Sequence, residues 1–388
     1  MFHYISDIAE NAVFAGQSVG ASCLVFRDGC ELYSGCFGFA DREKNIPMSR
    51  DTICRLFSLS KPVTAAAAMI LSDRGLLSPD DPVSRYFPEY SKLRYIDSKG
   101  HIVPFEGELR ISHLLTMTSG IPYANNGNPS VEAAARLFDK IIEGQSSGCE
   151  LTTEEFTRRA ADIPLSFEPG KKWDYGISAD ILGGIIEKIA GMRYSDFLRE
   201  NIFAPLGMND TGFFIPPEKT DRFAALYSWS DKGLVRDNSR YLGLTDYLVP
   251  PAFESGGAGL VSTISDYSKF ARMLAGSGKY EGKRIISEKA FRYMTSPLLT
   301  PQQRACLWER LSGYDYGCFM RVMTDVDASR IKTCNGEFGW DGWVGTYFCA
   351  DAENHIAVLY FTQVCGAGTT AQAAEISSLV YGKLLRNE

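Results

Sequence analysis

Ser58 and Lys61 are the residues whose types and spacing most directly suggest chemistry. They stand three positions apart in FSLSKPVTAAAAMIL, residues 57–71, where the apolar spacing predicts a helix over 60–72. Positions i and i+3 share a helix face, so the Lys61 amine can reach the Ser58 hydroxyl. Pro62 is tolerated only in a first helical turn, which places Ser58 at or just before the helix N-terminus. A partly desolvated lysine there should have a lowered pKa, so it could act as the base that activates Ser58 as a nucleophile.

Tyr175 is the second candidate. It lies in WDYGI, residues 173–177, directly before a predicted helix over 178–190. A tyrosine at a loop-to-helix junction can shuttle a proton if a neighbouring ammonium lowers its pKa. The structural alternative is an aromatic ring packed before a helix.

Glycines frame the third candidate segment, GWDGWVGT, residues 339–346, which enters a predicted strand over 343–350. Glycine lets a backbone approach a ligand closely, and N–H groups at such an edge could bind a substrate or an oxyanion. The alternative is a glycine-rich hairpin with its tryptophans in the core.

Two other motif matches are set aside. Ser329 and Lys332 form a second S-x-x-K pair, but in a predicted strand, where positions i and i+3 point to opposite faces. The segment GQSVG at 16–20 matches the nucleophile elbow of α/β-hydrolases. That elbow follows a strand and precedes a helix, whereas here the predicted order is reversed.

Composition excludes several function classes. Forty Lys and Arg against forty-seven Asp and Glu give a net charge of −7, with no basic stripe for nucleic acid and no polybasic run for a membrane surface. The longest apolar stretch, 65–71, is too short to span a bilayer. The N-terminus has acidic residues where a signal peptide needs basic ones, so we expect a cytoplasmic protein. Ten cysteines without a C-x-x-C pair and only four histidines favour reduced thiols and a site with no metal and no cofactor.

The pattern of elements predicts an α+β fold. Residues 18–40 read as two strands joined by the turn pair Asp28-Gly29, and strands return after Gly313, at 343–350 and 355–363. Helical spacing dominates between about 58 and 298, and a final helix is predicted over 370–385. Strands at both ends predict one sheet built from both termini and covered by the terminal helices, with a helical lobe inserted between its halves.

With these residues in view, the chain resembles the serine β-lactamase and penicillin-binding-protein superfamily. It is most similar to the class C-like branch and, in its motifs, to bacterial family VIII-type carboxylesterases and transesterases. The resemblance covers residues 8–384 as one catalytic domain and rests on seven segments in the family's order. They are FSLSKPVTAAAAMIL, GLLSPDDPVSRYFPEY, ISHLLTMTSGIP, FEPGKKWDYGISADILGGIIEKIAG, FAPLGMNDTGF, SGGAGLVSTISDYSKFARML and FGWDGWVGTYF.

The resemblance implies a β-lactamase/transpeptidase-like fold with an antiparallel sheet flanked by helices. Its sheet lobe would comprise 1–57 and 299–388, and its mainly helical lobe 58–298. The resemblance also implies that Ser58 is the acylated nucleophile, Lys61 its base and Tyr175 a partner in proton transfer. In this family the backbone N–H groups of Ser58 and Trp343 would form the oxyanion hole.

Two departures from the family pattern bear on the substrate. Ile177 stands where β-lactamases carry an asparagine that holds a substrate amide, and the 340–342 segment, Trp340 to Gly342, stands in place of K-T-G. Both changes replace polar anchors for an anionic amide with apolar surface at the substrate site. Aromatic residues in loops near the implied cleft are candidates for an acyl pocket, with lobe packing as the equal alternative: Tyr123, Trp229, Tyr247 and Phe253.

These observations predict a serine hydrolase that cleaves small-molecule carboxylic esters through a Ser58 acyl-enzyme. Neutral Lys61, or a Tyr175 phenolate held by it, would take the Ser58 proton. Three alternatives stay open: an acyltransferase that uses a small-molecule acceptor, a β-lactamase or D-amino-acid peptidase, and a non-catalytic scaffold. The sequence leaves acyl-chain length, the alcohol and the oligomeric state open.

Overall fold

The computed structural model describes residues 2–124 and 127–386. Helices lie mainly between residues 57 and 304, with one at each end of the chain. The α-helices are α1 (Phe2–Phe14), α2 (Ser60–Asp73), α3 (Ile111–Leu115), α4 (Pro129–Ser147), α5 (Thr153–Ala160), α6 (Ser178–Ala190), α7 (Tyr194–Leu198), α8 (Ala204–Leu206), α9 (Ile264–Ala275), α10 (Glu288–Met294), α11 (Pro301–Arg304) and α12 (Ala371–Tyr381).

The strands form one large sheet and several two-stranded ribbons. The strands are β1 (Gly20–Arg27), β2 (Cys30–Asp41), β3 (Ile46–Pro47), β4 (Ile53–Arg55), β5 (Arg94–Ile96), β6 (Ile102–Pro104), β7 (Leu226–Ser230), β8 (Gly233–Asp237), β9 (Val261–Thr263), β10 (Lys279–Tyr280), β11 (Lys283–Arg284), β12 (Tyr314–Tyr316), β13 (Arg321–Met323), β14 (Phe338–Asp341), β15 (Tyr347–Asp351) and β16 (Ile356–Phe361). The large sheet has eight antiparallel strands in the order β12-β13-β14-β15-β16-β1-β2-β3.

The two ends of the chain meet in the middle of this sheet, which confirms the predicted architecture. Strand β1 pairs with β16, with Cys23 opposite Tyr360. Asp28 and Gly29 both have positive φ, as a tight two-residue hairpin requires, and they join β1 to β2. The predicted helix over 178–190 coincides with α6.

Both faces of the sheet are covered, so its central strands are buried on both sides. Helices α1 and α12 cover one face, where Ile5 and Ile376 join a cluster with Val25 and Val358. Helix α9 covers the other face, with the Tyr267 ring against Phe348 and Phe361. The predicted division into a sheet lobe and a helical lobe stays a prediction. Its bounds need one change, because α9 lies within 58–298 yet packs on the sheet.

Two sequence expectations were wrong in detail. The predicted strand over 343–350 begins only at Tyr347, because Gly342 and Gly345 form a turn after β14. Ser329 and Lys332 lie in the loop between β13 and β14 and not in a strand. The Lys332 amine donates there to the carbonyl oxygens of Val326 and Asp327. In the part of the chain that the structure describes, no helix is long and apolar enough to cross a bilayer.

Candidate active site

Ser58 lies in a 3-10 turn, Phe57–Leu59, that leads directly into α2. The preceding residue, Phe57, has a φ of 45°, a conformation that costs energy for a bulky side chain. Neighbouring segments hold this turn in place: Leu56 donates its N–H to the Leu260 carbonyl and accepts a hydrogen bond from Thr346 Oγ1 at 3.0 Å. Ser58 therefore sits at the helix N-terminus, as predicted, on a strained but anchored backbone.

Lys61 points from the first turn of α2 to Ser58, and its side chain is fully buried. Its Nζ lies 3.1 Å from Ser58 Oγ, 2.9 Å from the Tyr123 hydroxyl and 2.8 Å from the Gly257 carbonyl oxygen. Burial lowers the pKa of Lys61 to about 7, although the charges of Asp180 and Asp341 oppose that shift. At neutral pH a large share of Lys61 is therefore the free amine, which is the form that can accept a proton.

Tyr123 is a site residue that the sequence analysis placed only among candidates for an acyl pocket. Its hydroxyl accepts a hydrogen bond from Lys61, and burial raises its pKa well above the ordinary value. When Lys61 is neutral, its two N–H bonds can point to Tyr123 and Gly257, which aims the lone pair at Ser58. Tyr123 thus orients the amine and does not act as an acid at neutral pH.

We expect Tyr123→Phe to lower kcat/KM for ester hydrolysis about tenfold, because one hydrogen bond that orients Lys61 is lost. Tyr316→Phe is the matched control, since the Tyr316 hydroxyl is buried in the same aromatic region without a hydrogen-bond partner among the described residues. Steady-state rates of both variants test the assignment. Equal rates in Tyr123→Phe and wild type would contradict it.

Tyr175 lies on the other side of Ser58 and is held by Trp340. The indole Nε1 of Trp340 donates to the Tyr175 hydroxyl at 2.9 Å, and the Ser58 hydroxyl interacts with the same oxygen. Lys61 Nζ lies 4.6 Å from the centre of the Tyr175 ring, over its face. Burial raises the pKa of Tyr175, against the opposing effect of these two hydrogen bonds.

This geometry corrects one expectation. The sequence suggested that an ammonium lowers the pKa of Tyr175 and that the Tyr175 phenolate is an alternative base. In the structure Lys61 donates to Tyr123, contacts only the ring of Tyr175, and the pKa of Tyr175 rises. Of the two groups, Lys61 is the one that is poised as a base.

Ile177 and Trp340 are the two residues at positions where the family carries polar substrate anchors. Both side chains are buried, Ile177 at the start of α6 and Trp340 in β14. Trp340 belongs to an aromatic cluster behind the site, whose other members include Trp173, Tyr175, Trp308 and Tyr316. The expectation that these two residues contact the substrate stays a prediction; in the structure Ile177 packs in the core, and Trp340 holds Tyr175.

Gly342 and Trp343 form the turn between β14 and β15, beside the segment that carries Ser58. A side chain on Gly342 would come within 2.2 Å of the Leu56 carbonyl oxygen, so only glycine allows this approach. Trp343 is 38% exposed and its ring contacts those of Phe57 and Tyr241. Among the described residues, the Trp343 N–H has no hydrogen-bond acceptor. A free N–H at such a place can receive an oxyanion.

Asp341, between Trp340 and Gly342, is the last residue of β14. Its carboxylate pairs with Arg310 at 3.0 Å and accepts a hydrogen bond from Thr369. Arg310 also lies over the Trp308 ring. In the described residues, no group of three or more His, Cys, Asp or Glu side chains could hold a metal ion.

Comparison with known proteins places this geometry in a family. The family model described as Beta-lactamase matches residues 5–378. The chain is 31% identical to Protein Rv1367c of Mycobacterium tuberculosis, over 94% of this chain and 90% of that protein. It is 29% identical to Esterase EstB of Burkholderia gladioli, over 94% and 91%. The solved structure described as EstCE1, a hydrolase with promiscuous acyltransferase activity, superposes with a TM-score of 0.81 at 26% identity, over 97% of this chain and 98% of that one.

Proposed function

Because this chain belongs to the beta-lactamase family, we propose that it is a cofactor-independent serine hydrolase that cleaves carboxylic esters of small molecules. The observation that carries the proposal is the buried Lys61 amine 3.1 Å from Ser58 Oγ, with its pKa lowered to about 7. Similarity to an esterase and to a hydrolase with acyltransferase activity supports the choice of ester substrates.

In the acylation step, Ser58 Oγ attacks the ester carbonyl while its proton passes to neutral Lys61. The carbonyl oxygen becomes an oxyanion, which the N–H groups of Ser58 and Trp343 stabilise. The unpaired Trp343 N–H supports this assignment. The C–O bond to the alcohol then breaks, and the Tyr175 hydroxyl gives its proton to the leaving oxygen. The products are the free alcohol, the acyl-enzyme, a Lys61 ammonium and a Tyr175 phenolate.

Deacylation restores each group. The Tyr175 phenolate takes a proton from water as the water oxygen attacks the acyl carbonyl. The bond to Ser58 then breaks, and Lys61 returns the proton to Oγ. The hydrogen bond from Trp340 stabilises the phenolate between the two steps, which is why we assign Trp340 to Tyr175 and not to the substrate.

The test of this function compares p-nitrophenyl acetate, butyrate and octanoate with a chromogenic cephalosporin in one set of rate assays. We expect ester turnover to exceed cephalosporin turnover, because Asp341 and the buried Trp340 replace the polar anchors for a β-lactam carboxylate. The dependence of the rate on acyl-chain length measures the size of the acyl pocket. Faster cephalosporin turnover would favour the β-lactamase or peptidase alternative, and no turnover of either class would favour the non-catalytic scaffold.

Tyr175→Phe should lower kcat/KM on alkyl esters about 100-fold or more, because kcat/KM reports acylation and the alkoxide leaving group loses its proton donor in that step. The loss should be smaller on p-nitrophenyl esters, whose leaving group needs no proton. Parallel measurements of kcat/KM on a simple alkyl acetate and on p-nitrophenyl acetate test this difference. An equal loss on both substrates would contradict the role of Tyr175 as the acid for the leaving group.

Acyl transfer is the second candidate function. The solved structure described as a hydrolase with promiscuous acyltransferase activity favours it. An alcohol in place of water would attack the same acyl-enzyme and give its proton to Tyr175. Added methanol or a larger alcohol should then divert product from acid to ester, and the ratio of the two products measures the partition.

The substrate class, the partners and the cellular location of the enzyme are also proposals. We propose small-molecule acyl substrates, no nucleic-acid or membrane partner, and a cytoplasmic location. The ten cysteines are all free thiols, which supports a reducing compartment.

A further inference from the structure

Asp180, on α6, is a buried carboxylate that the proposed mechanism does not use. Its Oδ1 accepts hydrogen bonds from the Ser255 hydroxyl and from the Gly257 N–H at 3.0 Å. Its Oδ2 is buried and has no hydrogen-bond partner among the described residues. None of the ion pairs between described residues involves this carboxylate, and the attraction to Lys61 is the main electrostatic effect upon it. A buried carboxylate destabilises the fold unless such an interaction offsets the loss of its hydration.

A chain of hydrogen bonds connects Asp180 to Lys61. The Ser255 hydroxyl donates to Asp180 and accepts the N–H of Ala258 at 2.9 Å. That N–H belongs to the same peptide group as the Gly257 carbonyl, which accepts a hydrogen bond from Lys61 Nζ at 2.8 Å. Each bond in such a chain polarises the next, so the negative charge of Asp180 strengthens the carbonyl as an acceptor for the amine.

Gly257 lies between Asp180 and Tyr123 without room for a side chain. A Cβ there would come within 2.6 Å of Asp180 Oδ2 and 2.9 Å of the Tyr123 hydroxyl. The carboxylate therefore packs directly on the residue whose carbonyl holds Lys61.

We propose that Asp180, acting through Ser255 and the peptide group between Gly257 and Ala258, is a positioning residue that sets the proton affinity of Lys61. The inference rests on the proposed function and deepens it, because it assigns the group that keeps the base matched to neutral pH. Removal of the charge should leave Lys61 a weaker base whose ammonium loses its proton at lower pH.

Among the described residues, four charged or titratable groups face Lys61, and a comparison of them shows why Asp180 is the one to test. They come from four elements and loops: Tyr123, Tyr175, Asp180 and Asp341. Tyr123 and Tyr175 have raised pKa values and are neutral at neutral pH. Asp341 is already paired with Arg310, whereas Asp180 has no such partner. Burial raises the pKa of Asp180, and Lys61, Ser255 and Gly257 oppose that rise.

The experiment measures the rate at which an alkyl fluorophosphonate modifies the full-length protein, from about pH 5 to about pH 9. In this reaction the bond between Ser58 Oγ and phosphorus forms, fluoride leaves, and the Ser58 proton passes to Lys61. We expect a midpoint near pH 7 for wild type. In Asp180→Asn the midpoint should move to lower pH by roughly one unit or more, because an opposite charge close to an amine raises its pKa by such an amount. The plateau rate should also fall, since a weaker base accepts the proton less readily.

Glu254→Gln is the matched control. Glu254 is also a buried carboxylate and directly precedes Ser255, but it pairs with Arg193 and not with Lys61. Its replacement should leave the midpoint unchanged. Ser255→Ala keeps the charge and breaks the hydrogen-bond chain, so its midpoint should also move to lower pH, by less than in Asp180→Asn. This variant also serves if Asp180→Asn does not fold.

An unchanged midpoint in Asp180→Asn would overturn the proposal, even if the plateau rate fell. An unchanged midpoint in Ser255→Ala would overturn the route through Ser255. Failure of wild type to react at Ser58 would instead overturn the proposed function, and this inference with it. If wild type reacts at Ser58 and the midpoint does not move in Asp180→Asn, only the role of Asp180 is overturned. The two failures are therefore distinguishable.

Discussion

Ser58→Ala should abolish ester hydrolysis, with a fall in kcat of about four orders of magnitude or more. The acyl-enzyme needs the Ser58 oxygen, and removal of a nucleophile from a catalytic unit costs this much in other serine hydrolases. The fold should survive, because Ser58 is only half-buried and the turn around it is held by backbone bonds of Leu56. Initial rates with p-nitrophenyl butyrate, together with a thermal unfolding curve, measure both effects.

Ser18→Ala is the control for this prediction. Ser18 is the serine of the GQSVG segment, and the structure places it two residues before β1, where its hydroxyl is hydrogen-bonded to the Gly20 carbonyl and the Thr362 hydroxyl. We expect this variant to keep wild-type kcat. Retained activity in Ser58→Ala, or its loss in Ser18→Ala with the fold intact, would move the nucleophile away from Ser58.

Lys61→Met should lower kcat by about three orders of magnitude or more while making the protein more resistant to heat. Methionine has similar volume but no amine, so Ser58 loses its base. The stability effect follows from the pKa, which falls from 10.5 in a free lysine to about 7 in the folded protein. At a pH between these two pKa values, the unfolded chain binds a proton that the native state does not. The protonated lysine therefore favours the unfolded chain, and Lys61 lowers the free energy of unfolding.

The sign of that effect depends on pH. The penalty from Lys61 is complete below about pH 7 and vanishes as pH rises towards 10.5. Lys61→Met should therefore raise Tm by about 2 °C or more at pH 7, with a smaller gain near pH 10. Differential scanning calorimetry at both values provides the measurement. A lower Tm in the variant at pH 7 would mean that the lost hydrogen bonds to Tyr123 and Gly257, together with the lost attraction to Asp180, outweigh the burial of the amine.

Much of the fold could be predicted from local patterns. The mixed apolar and polar residues of 18–40 and the Asp28-Gly29 pair indicated the β1–β2 hairpin, and apolar spacing placed α6 at its observed bounds. The pairing of β1 with β16 followed from the presence of strands at both ends. The turn at 342–346 entered only as the alternative of a glycine-rich hairpin, because the apolar residues Trp343 and Val344 continue a strand pattern. The close contact of Gly342 with Leu56, which requires the turn, is not local in sequence.

The site was predictable only as far as its motifs extend. Ser58, Lys61 and Tyr175 lie in recognisable segments, and the structure brings all three together. Tyr123 and Asp180 lie 62 and 119 positions after Lys61. Only the folded chain shows that the Tyr123 hydroxyl accepts a hydrogen bond from Lys61 and that the charge of Asp180 acts on the Lys61 amine. Tyr123 follows the TSGIP segment and Asp180 follows Tyr175 by five positions, so proximity to motifs was a signal for both. Their roles needed the geometry.

The most direct test of a Ser58 acyl-enzyme is mass spectrometry of the protein after rapid acid quench during turnover of p-nitrophenyl butyrate. We predict that the intact chain gains the mass of one butyryl group and that the peptide containing Ser58 carries it. The added mass should be absent from Ser58→Ala under the same conditions. Turnover with no acylated protein at any quench time, or with the acyl group on another residue, would contradict the account.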